Sequence, residues 1–110
     1  MKKGLCKSCY YFFSTMSNPT RLAILEQLRD GPKNVTEISK GLNQDQSMIS
    51  HNLNPMVQCG FVSVERRWKE HVYSINKETV ETIFQALDNH TENYCKKLER
   101  CPRQKDLTDV

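Results

Sequence analysis

The chain has 110 residues, 16 Lys and Arg against 13 Asp and Glu, a net charge of +3, 37% hydrophobic residues and five cysteines. That length makes one domain burying about 60–70% of its unfolded surface, and it is too short for two independent cores. A mean hydropathy of −0.68, with no apolar run near the roughly 20 residues that span a bilayer, argues against membrane insertion, and the periodic aliphatics argue against disorder. Met1-Lys2-Lys3 opens like the charged end of a signal peptide. Lys7 and Ser8 interrupt it before an apolar stretch of roughly 7–15 residues develops, so the expected location is the cytoplasm. Five cysteines in a reducing compartment point to metal binding or reactivity rather than to staples. The mild positive charge permits nucleic acid without demanding it.

The predicted elements follow in chain order. Leu5, Cys9, Phe12, Phe13 and Met16 have helical spacing, giving a helix over 5–17 that ends before Asn18-Pro19. A second helix starts near Pro19, buries Leu22, Ile24, Leu25 and Leu28, and stops at Asp30-Gly31-Pro32. A short third helix covers 35–41, with Val35, Ile38 and Leu42 inward and Gly41 at its end. Asp45 has the chemistry of an N-cap for a fourth helix carrying Ile49, Leu53, Met56 and Val57, terminated by Cys59-Gly60. The period then changes to alternation over 61–66 and 71–75, two strands joined by Arg67-Trp68-Lys69-Glu70. A long helix over 77–101 places Val80, Phe84, Leu87, Thr91, Tyr94 and Leu98 on a heptad seam. Such a seam can simply pack on its own domain, but at this length and at the end of so small a domain it is expected to meet a second chain. The domain therefore spans 1–101, and 102–110 reads as a flexible tail.

A short helix joined by a tight turn to a second helix is the helix-turn-helix plan, whose second helix enters the major groove. The outward face of the fourth helix carries Gln46, Ser47, Ser50, His51 and Asn54, polar groups suited to base edges and phosphates. The hairpin tip gathers Arg66, Arg67 and Lys69 within reach of backbone phosphate or the minor groove. Ordinary solvation explains either feature alone; together and in this order they favour DNA. Pro55 lies inside the reading helix, where it deprives the His51 carbonyl of its usual donor and predicts a kink beyond the reading residues.

Asn18-Pro19-Thr20-Arg21-Leu22-Ala23-Ile24-Leu25 resembles the D-P-T-R-L-x-I-L opening of the ArsR/SmtB-type winged-helix repressors. Gln46-Ser47-Met48-Ile49-Ser50-His51-Asn52-Leu53 resembles their Q-S-x-V-S-x-H-L recognition helix. Cys59-Gly60-Phe61-Val62 and Val72-Tyr73-Ser74-Ile75 resemble the A-G-L-V and V-Y-Y-x-L segments that bracket the wing, although the usual glycine at the wing tip is missing. The resemblance covers about residues 8–95. It implies a mainly α fold with a small β-hairpin, a winged helix-turn-helix of order α-α-α-α-β-β-α. It also implies a homodimer built on the first and last helices, here through Phe12, Phe13, Val80, Phe84, Leu87, Tyr94 and Leu98. The partner that the resemblance implies is double-stranded operator DNA with two-fold symmetry, released on metal binding or thiol chemistry.

The family's third-helix thiol site is absent, because the matching stretch reads Asn34-Val35-Thr36-Glu37. Of its last-helix zinc positions, which fall on Lys77, Thr79, His90 and Asn93, only His90 offers a ligand. What remains is Cys6-x-x-Cys9, a common zinc half-site, and Cys95 with Cys101. Cys95 and Cys101 stand about 120° apart on an ideal helix, and Pro102 encourages the last turn to loosen. If the first and last helices pack together, Cys6, Cys9, Cys95 and Cys101 make a tetrathiolate site for zinc or another thiophilic metal or metalloid. The same thiols suit redox or persulfide sensing, and simple packing needs no ligand at all. Cys59 reads as a small packed residue and His71 as a structural or phosphate-contacting one. No G-x-S-x-G, phosphate-binding glycine loop or H-E-x-x-H accompanies the three histidines, so catalysis is not expected. A winged helix that binds only protein is the remaining alternative.

Overall fold

The computed structural model describes the backbone of residues 3–95 and the side chains of residues 7–94. The elements are α1 (Lys3–Met16), α2 (Pro19–Leu28), β1 (Lys33–Asn34), α3 (Val35–Leu42), α4 (Gln46–Gln58), β2 (Val62–Arg67), β3 (Glu70–Ile75) and α5 (Val80–His90), then a π-helical turn over Thr91–Cys95. Two compact units divide after Asn76, inside the span 1–101 that the sequence reads as one domain.

In the first unit the helix boundaries follow from local chemistry. Asn18 caps α2, accepting from the Arg21 amide at 3.0 Å, and Pro19 occupies the first turn, where its missing N–H has no intrahelical partner to lose. Asn34 and Glu37 form a reciprocal capping box at the start of α3. Gly41 does not end that helix as expected. The helix runs on to Leu42, and Asn43 takes the left-handed cap at φ 55°, ψ 47°. Asparagine tolerates that conformation better than most side chains do.

The exit from α4 couples the helix to the hairpin. The Phe61 amide donates to the Met56 carbonyl at 2.9 Å, and the Gly60 amide to that of Val57 at 3.1 Å. With Gly60 at φ 79° this is a Schellman motif, whose left-handed position favours a residue free of a Cβ. It turns the chain so that Phe61 drops into the core, with its ring edge-on to Phe12 at 4.7 Å. Ile24, Leu25, Ile38, Ile49, Leu53, Met56 and Phe61 are all completely buried, so α2, α3, α4 and the hairpin base share one apolar core.

The sheet has order β1-β3-β2, antiparallel throughout. β1 is unexpected from sequence: its two residues are too short for any alternation to register. Val62 opposite Ile75 forms a buried base for the hairpin, while the positions toward the tip stand in solvent. Arg67 pairs with Glu70, so the connection is two residues, Trp68-Lys69, shorter than the four expected.

In the second unit, residues 77–79 form turns and the helix begins at Val80, the first seam residue, three residues after the expected start at 77. Val80 and Phe84 are buried within the single chain; Leu87 and Tyr94 are exposed. The α-helix ends at His90 and continues as the π turn, where the Asn93 amide side chain donates to the Asn89 carbonyl at 2.9 Å. Leu98 and the tail 102–110 lie outside the described residues.

Candidate nucleic-acid interface

Three residues, Asn43-Gln44-Asp45, carry the chain from α3 into α4. Ser39 closes this turn by donating its hydroxyl to the Gln44 carbonyl. Asp45 then caps α4 by accepting from the Ser47 amide at 3.1 Å. Gln46, the first residue of α4, donates from Nε2 to the Thr36 hydroxyl at 3.4 Å, which leans its amide toward the start of α3.

α4 divides cleanly into two faces. Ile49, Asn52, Leu53 and Met56 are buried, whereas Gln46, Ser47, Ser50, His51 and Asn54 are all exposed. Met48 also reaches the surface. Helical structure continues through Pro55 to Gln58.

The buried polar residue was not foreseen. Asn52 accepts at Oδ1 from Arg21 Nε at 3.0 Å and donates from Nδ2 to the Met48 carbonyl at 2.9 Å. Arg21 also donates from Nη1 to the Thr15 carbonyl at 3.1 Å. One guanidinium thus fastens the last turn of α1 and the start of α2 to the back of the reading helix. The only sequence signal is an asparagine on the inward face of α4, where a buried polar group requires a partner.

The hairpin lies beside this helix. A cleft lined by Asn34, Thr36, Ser50, Glu70, His71 and Tyr73 separates them, so His71 faces the same opening as Ser50. Asn34 Nδ2 donates to Glu70 Oε1 at 3.0 Å, tying β3 to the start of α3. At the tip Arg67 Nε pairs with Glu65 Oε1 at 2.7 Å, and Arg66 Nε donates to the Trp68 carbonyl at 3.2 Å. Arg66, Arg67 and Lys69 are exposed.

Of the described thiols, Cys59 departs from the packed position expected of it. Cys59 is exposed, with Sγ 3.8 Å from the Thr15 hydroxyl; it caps the outer end of α4 while Phe61 takes the core position. Cys9 is half-buried beside Tyr10, Phe13 and Ser14 of α1 and Ser17 just beyond it. Phe13 is exposed, whereas Phe12 is half-buried against Phe61. The side chains of Cys6, Cys95 and Cys101 lie outside the described residues. Among the described residues no three or more His, Cys, Asp or Glu gather as a cation site, and no helix is long and apolar enough to cross a membrane.

A helix-turn-helix with an exposed polar reading face and an adjoining cationic hairpin defines a winged helix-turn-helix DNA-binding domain. The family model "Bacterial regulatory protein, arsR family" matches residues 18–64, from the cap of α2 into β2. The HTH-type transcriptional regulator NmtR of Mycobacterium tuberculosis is 33% identical over 78 residues, which are 71% of this chain and 65% of NmtR. The transcriptional repressor SdpR of Bacillus subtilis is 32% identical over 85 residues, 77% of this chain and 90% of SdpR. A probable mercury resistance operon repressor of Streptomyces lividans is 32% identical over 69 residues, 63% of this chain and 55% of that protein. A homodimeric winged helix-turn-helix DNA-binding domain from Mycobacterium bovis shares the fold, with a TM-score of 0.78 at 22% identity over 86% of this chain and 87% of its own. The chain belongs to the arsR family of bacterial regulatory proteins.

Proposed function

We propose that the chain is a transcriptional repressor that binds operator DNA as a homodimer and is released by a thiophilic metal or metalloid. The observation that carries the DNA reading is the two-faced α4, with its polar face open beside a cationic hairpin. In this reading Gln46, Ser50 and Asn54 meet base edges in the major groove, while Ser47 and His51 meet phosphates. Arg66, Arg67 and Lys69 grip the backbone beside them, and His71, across the cleft from Ser50, supplies a further phosphate contact. Two-fold operators require two reading helices at a fixed separation, which a dimer through α1 and the exposed part of α5 supplies.

The effector reading rests on the donor set. Four cysteines, Cys6, Cys9, Cys95 and Cys101, at the ends of the proposed dimerisation elements have the softness that zinc, mercury or trivalent arsenic prefers. The similarity to a relative described as a mercury resistance operon repressor supports that class. Binding that favours one spacing of the reading helices over another lowers DNA affinity by the difference between the two states.

The test is a salt-titrated gel shift of reduced protein on duplexes from upstream of its own coding sequence. Three wing cations per protomer, six per dimer, give an expected log–log slope of about −5 or steeper. One equivalent of zinc ion or arsenite is expected to weaken binding at least about fivefold, a coupling of ordinary size. Cys9→Ser and Cys95→Ser are each expected to abolish that response. Binding that ignores salt contradicts the DNA reading; binding that ignores every thiophile contradicts the effector reading alone.

A further inference from the structure

Trp68 is the one tryptophan of the chain, and it stands 93% exposed at the hairpin tip. Its backbone has φ 62°, while its loop partner Lys69 does not take a positive φ. In a two-residue hairpin loop, positive φ at the first position alone is the pattern of a type II′ turn, which calls for glycine there. The bulkiest side chain in the chain therefore occupies a position whose conformation disfavours any side chain, and it gains almost no burial in return. Strain of this kind at an exposed tip points to use rather than to stability.

The surroundings identify the user. Glu65, Arg66, Arg67, Lys69, Glu70 and His71, all exposed, flank the indole in sequence, and Val64 is the exposed apolar residue nearest to it along β2, so the ring's neighbours at the tip are charged or polar. Glu65 is engaged by Arg67 and Glu70 by Asn34. From the buried base at Val62 to Arg67 the strand advances about 17 Å, at roughly 3.3–3.4 Å per residue. The tip therefore projects well beyond the buried hairpin base, where a side chain can meet a partner that the core does not touch.

We propose that Trp68 is a DNA wedge: its indole enters the minor groove flanking the site read by α4 and stacks against an opened base step, while Arg66 and Lys69 hold the phosphates on either side. This rests on the DNA-binding reading above. Apolar wedges unstack flexible pyrimidine–purine steps most readily, so Trp68 adds a preference at a position where no base edge is contacted. The indole N–H is a donor, and the floor of an A·T minor groove offers only acceptors.

Trp68 is its own probe. Emission of the full-length protein is followed while short duplexes tiled across the DNA upstream of its coding sequence are added, and binding is measured independently by anisotropy of a fluorescein label on the DNA. The expected result is strong quenching of the tryptophan and its shielding from iodide in the complex. Trp68→Gly is expected to raise the melting temperature, because the turn relaxes, and yet to weaken DNA binding about tenfold, within the range for loss of one stacked base. A gain in stability with binding within about twofold of the parent overturns the wedge, as does a bound complex in which Trp68 stays open to iodide. Such a ring serves a protein partner or nothing. If the parent gives no salt-dependent anisotropy change on any duplex, the DNA reading itself fails and takes the wedge with it.

Discussion

Phe61→Ala is expected to lower the unfolding free energy by about 3–5 kcal/mol, a large share of the 5–15 kcal/mol typical of a small domain. Phe61 is completely buried, and its ring meets Phe12 edge-on at 4.7 Å, a contact that adds to simple area burial. Its amide is also part of the Schellman motif that turns α4 into β2, so the cavity opens where the wing joins the reading helix. Urea unfolding measures the effect as a shifted midpoint at nearly constant slope. A loss below about 1 kcal/mol would mean that Phe12 and its neighbours collapse into the space, which a core packed at crystal-like density resists.

Leu87→Glu is expected to convert the proposed dimer to monomer. Val80 and Phe84 are already buried in the single chain, so among the described residues the exposed large apolar side chains of the seam are Leu87 and, in the π segment, Tyr94. A carboxylate at position 87 would enter the interface without a partner, at a cost of several kcal/mol. Sedimentation velocity is expected to show dimer for the parent and monomer for the variant. Operator affinity should fall about a hundredfold or more, because the second half-site loses its tethered reading helix. A variant that remains dimeric places the interface elsewhere.

Much of the fold was legible because it is written in local chemistry. Asn18-Pro19, Asp45 and Gly60 each announce a helix end through one residue whose backbone role is nearly unique, and all three act as expected. The boundaries failed where a residue other than the expected one took the capping role. Gly41 reads as the end of α3 where Asn43 takes the left-handed cap, and the last helix reads from 77 where it begins at Val80. β1 left no trace because two residues carry no period.

The site was legible as a list of exposed polar and cationic side chains, since a helical face can be read from spacing alone. Its scaffolding was not. Arg21 and Asn52 are 31 residues apart, and nothing in either local segment specifies the other. The placement of His71 opposite Ser50 depends on how the hairpin folds back toward α3 and α4, a tertiary fact. The positive φ of Trp68 follows from the pairing of Arg67 with Glu70, which shortens the loop to two residues; a four-residue reading of the same segment demands no such strain.

Recognition of DNA sequence by the exposed face of α4 is tested most directly by selecting binding sites from a random duplex pool with the parent and with Gln46→Ala. The parent is expected to enrich a motif with two-fold symmetry. Loss of the Gln46 amide removes one base-edge contact per half-site, worth about 1–3 kcal/mol, and should leave the same motif degenerate at one position in each half. The same fully specified motif from both proteins, or no motif from the parent, would contradict the assignment of α4 as the reading helix.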